Sequence, residues 1–164
     1  MGQNVDLGDS MTRSPSPAGP LSPVPPEQLI ALRRAASQAL ERAYAPYSRY
    51  RVGAALLTET GDIVPGANVE NAAYPSGLCA EASAIGHLVA TLGVMPLRAA
   101  FIVCQGDEPA WPCGSCRQRL NEFALPELWI FTATWEGPVE GAAFSSLFPH
   151  SFGPQNLGRA ELGQ

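Results

Sequence analysis

Cys79 stands two residues before Glu81, and the run Pro112-Cys113-Gly114-Ser115-Cys116 follows further along the chain. Thiolates are zinc ligands, and three protein ligands leave the fourth tetrahedral position open to water, which separates a catalytic zinc from a structural one. The expected ligands are therefore Cys79, Cys113 and Cys116, with one Zn2+ per chain. Glu81 is close enough in sequence to share the site without binding the metal. Such a centre suits hydrolysis: zinc acidifies water, and a positioned carboxylate takes the water proton and delivers it to the substrate. Glu81 is the expected proton carrier.

A Cys or His two residues before Glu, followed by Pro-Cys-x-x-Cys, is the signature of the zinc deaminases. Read singly, these pieces are weak. Cys-x-x-Cys alone fits a redox pair or half of a structural zinc site, and Cys-Ala-Glu alone means little. A structural site would need a fourth ligand, and the remaining thiol, Cys104, falls in an apolar run that reads as a core strand. His87 lies about 80° round the helix from Cys79, which favours an ordinary structural role, and His150 stands apart from the motif.

Elements must bring these residues together. From Glu27 to Ala43, apolar residues recur at Leu29, Leu32, Ala36, Leu40 and Ala43, the spacing of a helix entered through Pro26. Tyr50–Thr58 reads as a buried strand, residues 59–62 as a turn, and Ile63-Val64 as the opening of a second strand. Cys79–Thr91 reads as a helix ending before Gly93, Leu97–Gln105 as a strand, Cys113–Phe123 as a helix and Leu128–Thr134 as a strand. Strands alternating with helices predict an α/β fold with a central sheet flanked by helices. Both Cys79 and Cys113 then open a helix, where the peptide dipoles favour thiolate. Arg117, beside Cys116, is the nearest fixed cation in sequence and the expected compensator of thiolate charge.

The chain has 164 residues, 46% of them hydrophobic, and a formal charge of −5, enough for one domain with a real core. No cluster of Lys or Arg is present for phosphate neutralisation, so nucleic acid is not the expected partner; a small neutral molecule is. No apolar run approaches the roughly 18 residues of a membrane span, and no charged-then-apolar leader stands at the start. Met1-Gly2-Gln3 fits the start of a myristoylation site, but Asp6 occupies the position that needs Ser or Thr. The expectation is a cytoplasmic protein with no membrane association. Residues 1–25 are rich in Pro, Ser and Gly, as in Ser14-Pro15-Ser16-Pro17-Ala18-Gly19-Pro20, and read as a disordered tail in which Met11 is a second candidate start. Residues 26–153 form the expected catalytic domain and 154–164 a C-terminal tail.

Beyond the zinc motifs, four segments occur in order: Ala45-Pro46-Tyr47-Ser48-Arg49-Tyr50, Val52-Gly53-Ala54-Ala55, Asn68-Val69-Glu70-Asn71-Ala72-Ala73-Tyr74, and Leu147-Phe148-Pro149-His150-Ser151-Phe152. With the motifs they resemble the cytidine deaminase family, of the small, homotetrameric, three-cysteine kind, from about Pro26 to Gly153. The resemblance implies a three-layer α-β-α fold with a mixed sheet of about five strands. It implies that Asn68 and Glu70 hydrogen-bond a sugar hydroxyl, that Tyr50 (usually Phe in the family) packs on the pyrimidine, and that Tyr74 and Phe152 reach a neighbouring subunit's site in a homotetramer. Many three-cysteine members carry Arg directly after the catalytic glutamate; here that residue is Ala82, which shifts charge compensation onto Arg117 and the helix ends.

The expected reaction is therefore hydrolytic deamination of cytidine and 2′-deoxycytidine to the uridines with release of ammonia, as in pyrimidine salvage. Three other readings compete. A deaminase of another cytosine compound, such as blasticidin S, would share the zinc motifs, but the Asn68-x-Glu70 pair favours a plain nucleoside. A nucleotide or nucleic-acid deaminase lacks a basic cluster here. A non-catalytic zinc-stabilised binding module would not require a carboxylate at position 81.

Overall fold

The computed structural model describes residues 23–158. The Pro/Ser/Gly-rich stretch expected to be a disordered tail lies outside the described residues except at its end, where Val24 is buried in the core. Helix α1 (Pro26–Glu41) has Pro at its first turn, as its opening residues predict, and buries Leu32, Ala36, Ala39 and Leu40 along one stripe. The strands are β1 (Val52–Thr58), β2 (Ile63–Ala67), β3 (Leu97–Cys104), β4 (Ala124–Thr134) and β5 (Glu140–Ala143). Helices α2 (Ala80–Leu92) and α3 (Gly114–Asn121) follow β2 and β3, and a single turn, α4 (Phe144–Leu147), follows β5.

One five-stranded mixed sheet runs in the order β2-β1-β3-β4-β5, parallel only between β3 and β4. Alternate residues of each strand face opposite layers. On one face Ala55, Leu57, Ala99, Phe101, Val103 and Phe131 meet Leu32, Ala36 and Leu40 of α1. On the other, Leu56, Ala100, Ile102 and Ile130 meet Ala84, Ile85 and Leu88 of α2 and Leu120 of α3. This is the three-layer α/β fold expected from the sequence.

The topology explains how distant residues meet. β1 is antiparallel to both β2 and β3, so β2 and β3 run the same way and end at the same edge of the sheet. The helix that follows each strand therefore begins at that edge, together with the first residues of β1. In open α/β sheets this carboxyl edge is where ligands bind.

Two glycines let the layers close. A Cβ on Gly53 of β1 would fall 2.0 Å from the Ala36 carbonyl oxygen, and one on Gly66 of β2 would fall 2.3 Å from the Ala84 nitrogen and 2.6 Å from the Ala80 oxygen. Only glycine permits α1 and the first turn of α2 to lie this near the sheet.

Candidate active site

Cys79 and Cys113 are the N-cap residues of α2 and α3, each with extended backbone, and Cys116 lies in the first turn of α3. The three Sγ atoms lie within 4.8 Å of one another, with Cys79 and Cys113 4.0 Å apart. Zn–S bonds of about 2.3 Å in a tetrahedron put sulfurs about 3.8 Å apart, so this donor set fits zinc. Cys116 is buried while Cys79 and Cys113 are exposed, so the ligand triangle presents one side to the cavity. Cys104 is buried in β3, its thiol 3.3 Å from the Glu108 carbonyl, and does not join the cluster. His87 is also separate: its Nδ1 pairs with the Pro65 carbonyl oxygen at 2.9 Å.

Four acids share this corner, and their titration reflects it. Burial pushes the Glu81 carboxyl above the usual carboxylate range, against the opposing effect of hydrogen bonds that include one with the Cys116 thiol. Cys79 is pushed up by burial and then by the field of Cys113. Cys116 is pushed up by burial and then by Glu81, Cys79 and Cys113. At Cys113 burial opposes ionisation, but hydrogen bonds from the Cys116 backbone and from the Cys116 and Cys79 thiols outweigh it, and its thiol is lowered. The helix N-termini thus favour thiolate less uniformly than their dipoles alone suggest. Mutual repulsion and desolvation dominate at two of the three sulfurs, and a bound dication would reverse that balance.

The cluster forms one wall of a cavity of about 640 Å³, a size that suits a small molecule. Asn68, Glu70, Tyr50, Tyr74, Cys79, Glu81 and Cys113 all line it; Phe152 does not. Asn68 accepts a hydrogen bond from the Val52 N–H and donates to the Tyr50 carbonyl, both at 2.9 Å. That side chain replaces sheet pairing where β1 was expected to begin, which is why the strand starts at Val52 instead of Tyr50. Glu70 accepts from the Tyr47 N–H at 2.9 Å, the Ser48 N–H at 3.2 Å and the Ser48 hydroxyl. These bonds, the Ser48 hydroxyl first, hold its carboxyl below the usual range despite some desolvation. Each side chain still has a free lone pair, and Asn68 one free N–H, for a ligand.

The Tyr50 ring lies against Gly106, where a Cβ would fall 2.9 Å from it. Burial, and then a hydrogen bond and the field of Cys104, push its hydroxyl up to about 12. Arg117 donates to the carbonyls of Pro112 and Leu147, both at 2.8 Å. It thus ties the approach to Cys113 to α4. Phe152 is 58% exposed, and its carbonyl accepts from Gln118 at 3.0 Å and Asn121 at 3.1 Å. Trp111 and Tyr47 also line the cavity. Neither was singled out as a site residue in the sequence, although Trp111 directly precedes the Pro112-Cys113 pair.

Residues 26–132 match the family model described as the cytidine and deoxycytidylate deaminase zinc-binding region. The chain belongs to the cytidine deaminase family. It is 38% identical over 134 residues to a cytidine deaminase of Sporosarcina psychrophila, a match covering 82% of this chain and 96% of that one. Against a cytidine deaminase of Mycobacterium tuberculosis it is 41% identical over 128 residues, covering 78% and 92%. The crystal structure of cytidine deaminase from Burkholderia pseudomallei superposes with a TM-score of 0.70 at 40% identity, covering 75% of this chain and 98% of that one. Family and geometry agree: this is a hydrolytic deaminase with one zinc ion per chain, held by the three-cysteine cluster.

Proposed function

We propose that the chain deaminates free cytidine and 2′-deoxycytidine, adding water at C4 and releasing ammonia to leave uridine or 2′-deoxyuridine, a step of pyrimidine salvage. The observation that carries this reading is the buried Glu81 beside the three-sulfur cluster in the wall of a nucleoside-sized cavity. Cys79, Cys113 and Cys116 would hold the metal. What zinc supplies when bound is acidification of water.

The rest falls to the chain's own residues. Glu81 takes a proton from the attacking water, delivers it to the ring nitrogen N3, and then passes a proton to the departing amine. Burial raises its carboxyl above the usual carboxylate range, which suits a group that must both accept and release a proton. Asn68 and Glu70 use their spare hydrogen-bonding capacity on the sugar, and Tyr50 walls the base. Among the described residues, none that lines the cavity is a lysine or arginine, which supports a nucleoside over a nucleotide.

Four copies would assemble so that Tyr74 and Phe152 complete neighbouring sites. What supports this is their exposure, 76% and 58%, and the place of Phe152 outside its own chain's cavity. Arg117 and the helix N-termini would share in offsetting thiolate charge. The test is an ultraviolet assay on cytidine, 2′-deoxycytidine, cytidine monophosphate and blasticidin S. Turnover of the two nucleosides well above the other two compounds supports the proposal, and a preference for the nucleotide or for blasticidin S overturns it.

A further inference from the structure

Four aromatic side chains among the described residues line the cavity: Tyr47, Tyr50, Tyr74 and Trp111. The three tyrosines are exposed, whereas Trp111 is half-buried and packs against the core cluster that holds Ile102 and Leu120. Trp111 stands two residues before Cys113, which opens α3. Two residues of chain span at most about 7 Å, so Trp111 belongs to the metal end of the cavity.

The segment that carries it is pinned on both sides. Buried Thr132 donates to the Ala110 carbonyl at 2.8 Å, and Arg117 donates through Nε to the Pro112 carbonyl at 2.8 Å. Upstream, the Cys104 thiol donates to the Glu108 carbonyl at 3.3 Å. Pro112 also disfavours helical backbone at the residue before it and holds that residue extended. With its backbone restricted and its ring packed on the core, Trp111 is a fixed piece of wall.

On the cytidine reading proposed above, on which this inference rests, C4 sits at the three-sulfur cluster and Glu81 serves N3. N3 and C5 flank C4 and point to opposite sides of it. Glu81 belongs to α2, so the N3 edge turns to α2. The C5 edge then turns to the start of α3 and the segment before it, where Trp111 stands. We propose that Trp111 is a specificity-determining residue whose indole closes the C5 edge of the base site and restricts the enzyme to cytosine nucleosides that carry hydrogen at C5. A methyl group at C5 would have to displace a ring that the core holds in place. One carbon more or less in an apolar pocket changes selectivity by roughly 10–200-fold.

The test compares kcat/KM for cytidine and 5-methylcytidine in the zinc-loaded native chain, Trp111→Phe and Trp111→Ala. A third substrate, 2′-deoxycytidine, differs from cytidine only at the sugar. A ratio of two substrates on one sample does not depend on how much of that sample is folded. The native chain should prefer cytidine to 5-methylcytidine by at least about tenfold. That preference should approach unity in Trp111→Ala and lie between the two in Trp111→Phe, while the ratio of cytidine to 2′-deoxycytidine stays the same in all three. Where Trp111→Ala is too poorly folded to turn over either nucleoside, Trp111→Phe decides. Steric exclusion also acts without turnover, so calorimetry on zinc-loaded Glu81→Gln should find cytidine bound more tightly than 5-methylcytidine. Equal use of the two bases by the native chain, or a preference that both variants keep in full, would overturn the role of Trp111 alone. So would a sugar ratio that shifts as much as the base ratio, or equal binding of the two bases by Glu81→Gln. No turnover of cytidine by the native chain would overturn the cytidine reading with it.

Discussion

At the scale of single residues, Glu81 carries the sharpest expectation. Glu81→Gln keeps the shape of the side chain and removes its basicity, so zinc content should stay near one per chain while kcat falls by about 10²–10⁴-fold. Metal analysis alongside steady-state kinetics checks both halves. Glu70 gives a pH expectation with a definite sign. Its folded-state carboxyl is held below the ordinary value by the Ser48 hydroxyl and by the Tyr47 and Ser48 N–H groups. Its contribution is therefore complete above the ordinary carboxylate value near 4.5 and is lost as pH falls through the lower folded value. KM should show no Glu70-dependent rise between pH 8 and pH 5, whereas Glu70→Gln should raise KM across that whole range by weakening the grip on the 47–48 turn. A native KM that climbs in that range with the titration of Glu70 would contradict the hydrogen-bonding account.

At the scale of elements, the glycine contact at Gly66 fixes where α2 begins and hence where Cys79 and Glu81 sit. Gly66→Ala puts a methyl group 2.3 Å from the Ala84 nitrogen, and no side-chain rotation relieves a clash with backbone. The variant should lose about 1–3 kcal/mol of stability and also hold zinc less tightly, which urea unfolding and metal titration would show together. Most elements were legible in the sequence because their apolar periodicity is strong. The expected α2 (Cys79–Thr91) differs from the observed Ala80–Leu92 by one residue at each end, and Gly93 stops it with φ of 81°. The short elements were not legible, and neither was the start of β4. β5 has four residues, Glu140-Gly141-Ala142-Ala143, with no β-branched or aromatic side chain to mark it. β4 begins at Ala124, not Leu128, and its early part contains Pro126, which punctuates a sequence pattern but is tolerated where pairing is irregular.

At the scale of the whole molecule, the metal cluster was readable because ligand chemistry leaves a spacing signature, whereas the cavity was not. Trp111 and Tyr47 reach it through a loop and a turn whose course depends on packing, and no periodicity announces that. The assembly belongs to this scale too. If Phe152 completes a neighbouring site, then copies carrying Glu81→Gln and copies carrying Phe152→Ala should each be poorly active alone and regain activity when refolded together. An activity equal to the simple average of the two would contradict a shared site. The central claim, hydrolysis of cytidine at a zinc held by Cys79, Cys113 and Cys116 with Glu81 moving the protons, is tested most directly by one measurement. Loss of the cytosine absorbance is followed for the zinc-loaded chain, for the same chain stripped by a chelator and then reloaded, and for zinc-loaded Glu81→Gln. The account predicts turnover with release of one ammonia per cytidine in the first, loss and recovery in the second, and near silence in the third. Turnover that survives either zinc removal or the Glu81→Gln change would contradict it.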